Sequence, residues 1–309
     1  MRLKKRPCNR EKDMQPDKKR GAVDMDTSIS NSGERLSIER ILAPGRVAFE
    51  QEYLTSPGRP VILTNVITKW PALGKWTFGF LATLFGDTQV VAMDQLFTPE
   101  KAFRLSFRMF MRFCENPSVL GERVSGFPLY FGFQPFCRDS SLLSDFNWPE
   151  ECDNLYSHLG DDVYDWYLRE FGVLLIGPAG TVTPDHVDLF GTHAWLAQLC
   201  GSKRFVFEAP DADEKHAPAS SRNGVYEAVV NAGDMIVFPQ GWKHTVTSLA
   251  PSISLSFNFV NYTNYSAHLL EIFRDLPKWT RRLDNPTLRK ALNIDWTSDF
   301  RESFAAERH

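Results

Sequence analysis

The feature that most constrains this chain is the run from Val173 to Val260, where short apolar or β-branched stretches alternate with Gly and Pro turns. That pattern predicts many short antiparallel strands arranged as a jelly roll, two sheets closed over an interior cavity. Two of its segments carry polar residues that a plain barrel does not need. The first, GPAGTVTPDHVDLFGTHAWLAQLCGSKRFVF (177–207), holds His186, Asp188 and Lys203; the second, GDMIVFPQGWKHTVTSLAPSISLSFNFV (233–260), holds His244. A strand over 182–188 would aim His186 and Asp188 at one face, because side chains two apart point the same way. His244 can complete a triangle with them.

Two imidazoles and one carboxylate on one face of a metal form the ligand set of non-haem Fe(II) oxygenases, and they leave the opposite positions open. Those open positions suffice for a chelating 2-oxo acid and for dioxygen. The competing reading is a surface strand whose His and Asp face water. Apolar flanks on both sides count against it, as does the second apolar strand KRFVF, which should pack against the first. Lys203 begins that second strand. A buried lysine costs several kcal/mol unless its charge is met, and a carboxylate on a small ligand would meet it with a bond contributing about 1.5–3 kcal/mol. The alternative is a lysine whose stem packs on the sheet while its head reaches the rim.

The order TxTPDHVD, then GTHAWLAQLCGSKRF, then NAGDMIVFPQGWKHTV and a last strand ISLSFNFV resembles the Jumonji C (JmjC) domain of Fe(II)- and 2-oxoglutarate-dependent oxygenases. The resemblance spans most of residues 59–262. It implies an α+β, mainly β fold: a double-stranded β-helix (jelly-roll or cupin barrel) with flanking N- and C-terminal helices. It implies iron at His186, Asp188 and His244, and 2-oxoglutarate with its far carboxylate on Lys203, shared by Thr183 and by Tyr130 of PLYFGF. Thr183 lies an odd number of positions from His186, so a regular strand would turn it to the opposite face; an irregularity at Pro184 would be needed. Where some relatives carry an asparagine that helps hold the co-substrate, this chain has Leu196. Asn258 on the last strand is the candidate replacement, with Ser256 on the same face as the alternative. The implied activity uses Fe(II), 2-oxoglutarate and O2 to hydroxylate a protein side chain, in the manner of the small protein hydroxylases. Demethylation of a methyl-lysine or methyl-arginine by the same chemistry, and a non-catalytic binding module, are the other readings.

Composition narrows the remaining classes. A chain of 309 residues, 43% hydrophobic, can bury one large core or two small ones. A net charge of −3 gives no general attraction to nucleic acid or to an acidic membrane; the resemblance implies a protein substrate as the partner. Five cysteines without CxxC spacing argue against a disulfide framework or a zinc module and for a reducing compartment. No apolar run reaches the roughly 18 residues of a membrane helix, and the expected location is nuclear, cytoplasmic or both. Residues 1–34 read as a disordered polar tail. Its clusters Lys4, Lys5, Arg6 and Lys18, Lys19, Arg20 resemble a two-part nuclear import signal, although a solvated tail accounts for them equally.

The domain is expected over 35–262, followed by C-terminal helices over 263–309. Residues 35–58 read as helical, broken at Pro44 and Gly45, with strands at 60–63 and 88–93. Thr77 should cap a helix through Phe85 that Gly86 stops, and 105–115 reads as a further helix. A strand over 128–133 carries Tyr130, 136–160 reads as irregular or as short helices, and 161–171 reads as a helix ended by Gly172. His216 falls in an exposed loop at 209–224. His193 is expected to pack or to support the site, not to ligate, and His158 and His268 have no ligand spacing. Leu269, Leu270, Ile272 and Phe273 form an apolar stripe after Asn261. The resemblance implies a homodimer through such helices, while packing against the barrel accounts for the same stripe.

Overall fold

The fold is that of a computed structural model, which describes residues 35–94, 101–123, 128–210 and 224–279. The basic clusters at 4–6 and 18–20, His216 and the second expected C-terminal helix (285–294) lie outside the described residues. The strands are β1 (Arg35–Ser37), β2 (Glu39–Ile41), β3 (Val61–Leu63), β4 (Gln89–Met93), β5 (Ala102–Ser106), β6 (Phe131–Phe133), β7 (Val173–Gly177), β8 (Val182–His186), β9 (His193–Cys200), β10 (Ser202–Glu208), β11 (Val225–Asn231), β12 (Met235–Phe238), β13 (Lys243–Ser248) and β14 (Ser252–Phe259). The helices are α1 (Arg46–Phe49), running into a π-type turn Glu50–Leu54, then α2 (Pro71–Lys75), α3 (Phe78–Phe85), α4 (Phe107–Glu115), α5 (Asp161–Phe171) and α6 (Tyr265–Trp279). Among the described residues no helix is long and apolar enough to cross a membrane.

Two sheets form the barrel. One has the order β1-β11-β10-β13-β8, the other β2-β3-β12-β9-β14-β7-β6, and β4 and β5 make a separate ribbon. Strand β10 alternates strictly, with Lys203, Phe205 and Phe207 buried between partly exposed neighbours, as a strand covered on one face only must. Strand β9 is buried along nearly its whole length on both faces. Its inward side chains, Ala194 and Leu196, join Phe205, Phe207 and Phe238 inside the barrel. Its outward side chains, such as Trp195, pack under the helices against Trp70, Trp148 and Phe257, with ring centroids 5.1–5.9 Å apart. The high aromatic content is explained by this second core, which makes the seven-stranded sheet a stiff backing for the cavity.

Several local expectations are corrected. Residues 35–41 are strands, not helix: β1 pairs in parallel with β11 and β2 with β3, so this segment adds one strand to each sheet. Leu36 and Ile38 fit a two-residue period as well as a helical one, and pairing with two preformed edges decides between them. Helix forms only from Arg46, after Gly45 at φ 89°. Residues 105–106 close strand β5, and Ser106 caps α4 by accepting the Met109 N–H at 3.2 Å. Strand β6 starts at Phe131, whereas Tyr130 pairs with Met93 as an isolated bridge. The cap by Thr77 forms as expected, accepting the Phe80 N–H at 3.1 Å.

Gly172 ends α5 as expected, but for another reason. Its φ of −74° suits any residue; what excludes a side chain is the core, since a Cβ there would sit 2.5–2.6 Å from the Phe136 and Phe257 rings. Gly172→Ala should therefore cost about 1–3 kcal/mol through overpacking. Urea unfolding measures this, and a loss below about 0.5 kcal/mol would contradict the packing argument.

Candidate active site

The site begins with a strand pair. In the antiparallel pairing of β8 with β13, His186 stands directly opposite His244, and their ring centroids are 4.1 Å apart. The next matched pair is Thr183 with Val246, so β8 takes three steps where β13 takes two. This bulge is the irregularity that Thr183 requires: the extra residue returns it to the same side as His186, and both line the cavity. Pro184 has no N–H to lose at that point, while exposed Asp185 is held outside by Lys243 at 2.8 Å.

Each imidazole is oriented by its own strand. The carbonyl of Pro184 accepts from His186 Nδ1 at 2.7 Å, and that of Trp242 accepts from His244 Nδ1 at 3.0 Å. A carbonyl can only accept, so both rings carry their proton on Nδ1 and present Nε2 as the lone-pair nitrogen that a metal takes.

Asp188 departs from the expected geometry. Strand β8 ends at His186, and Asp188 sits in the following turn at φ −60°, ψ 141°. The turn still delivers its carboxylate: Asp188 Oδ1 lies 3.5 Å from His186 Nε2, and one ligand atom from each of His186, Asp188 and His244 falls within 4.8 Å of the others. Burial opposes protonation of His186, yet the Asp188 carboxylate and the Pro184 carbonyl outweigh it, so its pKa is raised above the ordinary 6.5. His244, more deeply buried, is lowered by that burial. Two neutral imidazole nitrogens and a carboxylate oxygen, all pre-oriented, fit a divalent cation.

Along β10 lies the second half of the site. Lys203 is 0% exposed, and its Nζ donates to the Tyr130 hydroxyl at 3.1 Å, to which Thr183 Oγ1 also donates at 3.4 Å. Among the described residues no carboxylate stands within ion-pair distance of Lys203. A cavity of about 550 Å³ runs past these groups, lined by Tyr130, Thr183, His186, Asp188 and His244 and walled by apolar side chains such as Leu175, Leu196, Phe205 and Phe238.

The remaining candidates are placed differently. Asn258, expected to help hold the co-substrate, lines the cavity but gives its amide nitrogen to Asp188 Oδ2 at 3.0 Å and to Thr192 Oγ1 at 2.9 Å. It steadies the Asp188 carboxylate from the facing sheet. Ser256, its alternative, donates to the Trp195 carbonyl at 3.0 Å. His193 does not ligate: fully buried, with its pKa pushed down to about 3 by that burial, it accepts the Gln240 N–H on Nδ1 at 3.0 Å and bonds Thr263 through Nε2 at 2.8 Å. It thereby fixes the turn that precedes His244. Asn264 and His268 also bear on the site, through backbone carbonyls, and sequence spacing gives no signal for such partners.

Much of the chain is similar in sequence to known proteins. Residues 161–267 match the family model of the JmjC domain. The chain is 25% identical over 261 residues to the arginine-specific demethylase JMJ20 of Arabidopsis thaliana, covering 71% of this chain and 55% of that protein. It is 27% identical over 253 residues to Jumonji C domain-containing protein 5 of Drosophila melanogaster, covering 71% and 59%. To the 2-oxoglutarate and iron-dependent oxygenase JMJD4 of Homo sapiens it is 24% identical over 266 residues, covering 72% and 63%. The chain is thus similar to JmjC-domain proteins, with the family model matched over residues 161–267, and it spans 55–63% of the length of these three relatives.

Metal uptake must displace any proton from His186 Nε2. Affinity for Mn(II) or Fe(II) should therefore fall as pH drops, with the decline setting in above 6.5 because the folded protein holds that proton to higher pH. Calorimetric titration from about pH 8 to about pH 6 checks this, and a flat affinity would contradict the assignment.

Proposed function

We propose that the protein is an Fe(II)- and 2-oxoglutarate-dependent oxygenase that hydroxylates a side chain of a protein substrate. The observation that carries this reading is the Lys203 ammonium, buried without a counter-charge among the described residues and bonded to the hydroxyl of Tyr130, which lines the same cavity as His186, Asp188 and His244. A barrel that bound only a metal would have no use for that charge, whereas a dicarboxylate co-substrate would supply its partner.

His186, Asp188 and His244 would hold the iron, which with 2-oxoglutarate and O2 supplies oxidation of a substrate C–H, releasing succinate and carbon dioxide. The rest is positioning by the chain. Lys203, Tyr130 and Thr183 fix the far carboxylate of the co-substrate, so that its 2-oxo acid end faces the histidines. Asn258 holds Asp188 in place, and Leu175, Phe205, Phe238 and Val246 keep water from the reacting atoms.

The lining also bears on the substrate. Asp188 is the one carboxylate among the described lining residues, so a hydrocarbon group finds apolar walls while a methylated cation finds no acid of its own. That favours hydroxylation at carbon. The second reading, demethylation, draws support from the relatives whose names are arginine-specific demethylases.

With added Fe(II) the protein should release succinate from 2-oxoglutarate, and Lys203→Met should raise the 2-oxoglutarate KM by about 10- to 100-fold, the loss of one charge-assisted bond, with metal affinity unchanged. Mass spectrometry of reacted peptides separates the two readings: gain of one oxygen means hydroxylation, loss of a methyl group demethylation. No succinate with any peptide, together with no metal binding, would make the barrel a binding module.

A further inference from the structure

The turn that carries Asp188 is unusual in its backbone. Phe190 lies at φ 63°, ψ 25°, a left-handed conformation that a bulky side chain seldom adopts, and Gly191 follows at φ 57°. Such a conformation persists only where its surroundings over-determine it. Here they do so through three successive carbonyls. Thr192 Oγ1 donates to the Leu189 carbonyl at 2.9 Å, His268 Nδ1 to the Phe190 carbonyl at 2.7 Å, and Asn264 Nδ2 to the Gly191 carbonyl at 2.9 Å. Two of these three donors flank the start of α6: Asn264 immediately precedes it and His268 lies in its first turn.

Both residues are themselves locked. Asn264 is 1% exposed, and its Oδ1 accepts the Asn261 N–H at 2.8 Å. His268 must carry its proton on Nδ1 to serve the carbonyl, which leaves Nε2 to accept from the Tyr156 hydroxyl at 3.3 Å. Gly191 packs so closely on α6 that a Cβ there would lie 3.1 Å from the backbone of Ala267 and of His268. The turn therefore cannot relax without moving the helix.

We propose that Asn264 and His268 are positioning residues for the metal site: by holding the Phe190 and Gly191 carbonyls, α6 keeps the strained turn in the one conformation that aims Asp188 at His186 and His244. Helix α6 is thus part of the metal centre, although it contributes no ligand. This rests on the reading of Asp188 as a ligand. Asn258 secures the carboxylate itself, whereas α6 secures the backbone behind it.

The test is Mn(II) affinity of the full-length apoprotein, measured calorimetrically beside the melting temperature. His268→Leu removes the donor and keeps bulk; His268→Asn keeps an amide N–H near the place of Nδ1; Asn264→Ser gives up the reach to Gly191 while remaining a residue that helix N-termini accept. His268→Leu and Asn264→Ser should each weaken Mn(II) binding by about tenfold, and His268→Asn should stay within about threefold of wild type. Phe110→Leu, in the α4 core away from the cavity, lowers the melting temperature without touching the turn and should leave Mn(II) affinity unchanged. Should His268→Leu fail to fold, Asn264→Ser against Phe110→Leu decides the matter. Wild-type affinity in the donor-removing variants, or an equal loss in Phe110→Leu, overturns the proposal and leaves the oxygenase reading standing. A wild-type protein that binds no Mn(II) overturns that reading and this one with it.

Discussion

The pairing of β8 with β13 is the constraint on which the rest of the molecule depends. It places His186 across from His244, and the hydrogen bonds from their Nδ1 atoms to carbonyls two residues earlier turn both Nε2 atoms the same way. A shift of one residue in this register would send one imidazole to the outer face and end the site. The bulge that follows brings Thr183 back inside, beside Tyr130 and Lys203. One short antiparallel pair thus positions the two candidate ligand histidines and Thr183 together.

Around that pair the two sheets divide the work. The five-stranded sheet carries His186, His244 and Lys203, the groups proposed to meet metal and co-substrate. The seven-stranded sheet supplies apolar wall from Leu175 and Leu196 and reaches across with Asn258 to hold Asp188. Behind it the aromatic core of Trp70, Trp148, Trp195 and Phe257 fills the space under the helices. A site built on strands with such backing holds its geometry before any ligand arrives, which is what electrostatic catalysis requires.

Much of this could be read from residue order. The jelly roll followed from short apolar runs between Gly and Pro turns, and the convergence of His186, Asp188 and His244 on one spot from their residue types and spacing. The need for an irregularity near Pro184 was visible because Thr183 has the wrong parity. Other parts were not legible, for identifiable physical reasons. Three-residue strands such as β1 and β2 exist only because two sheet edges wait for them, and no local pattern announces that. Asp188 lies in a turn whose left-handed backbone falls on Phe190, a residue that gives no warning of it. His193, Asn264 and His268 act on backbone groups, which carry no side-chain signature, so their roles emerge only from the packed structure. Gly172 was expected to end α5 and does so, but its lack of a side chain matters there because it leaves room for two phenylalanine rings.

The account stands or falls on three side chains from two separated segments sharing one metal ion. X-ray absorption at the iron edge of the Fe(II)-loaded protein measures this most directly. The structure requires multiple scattering from two imidazoles together with oxygen donors only, and loss of one imidazole's scattering when His244 is replaced by Gln. Scattering from fewer than two imidazoles in the native protein, or from sulphur, would contradict it.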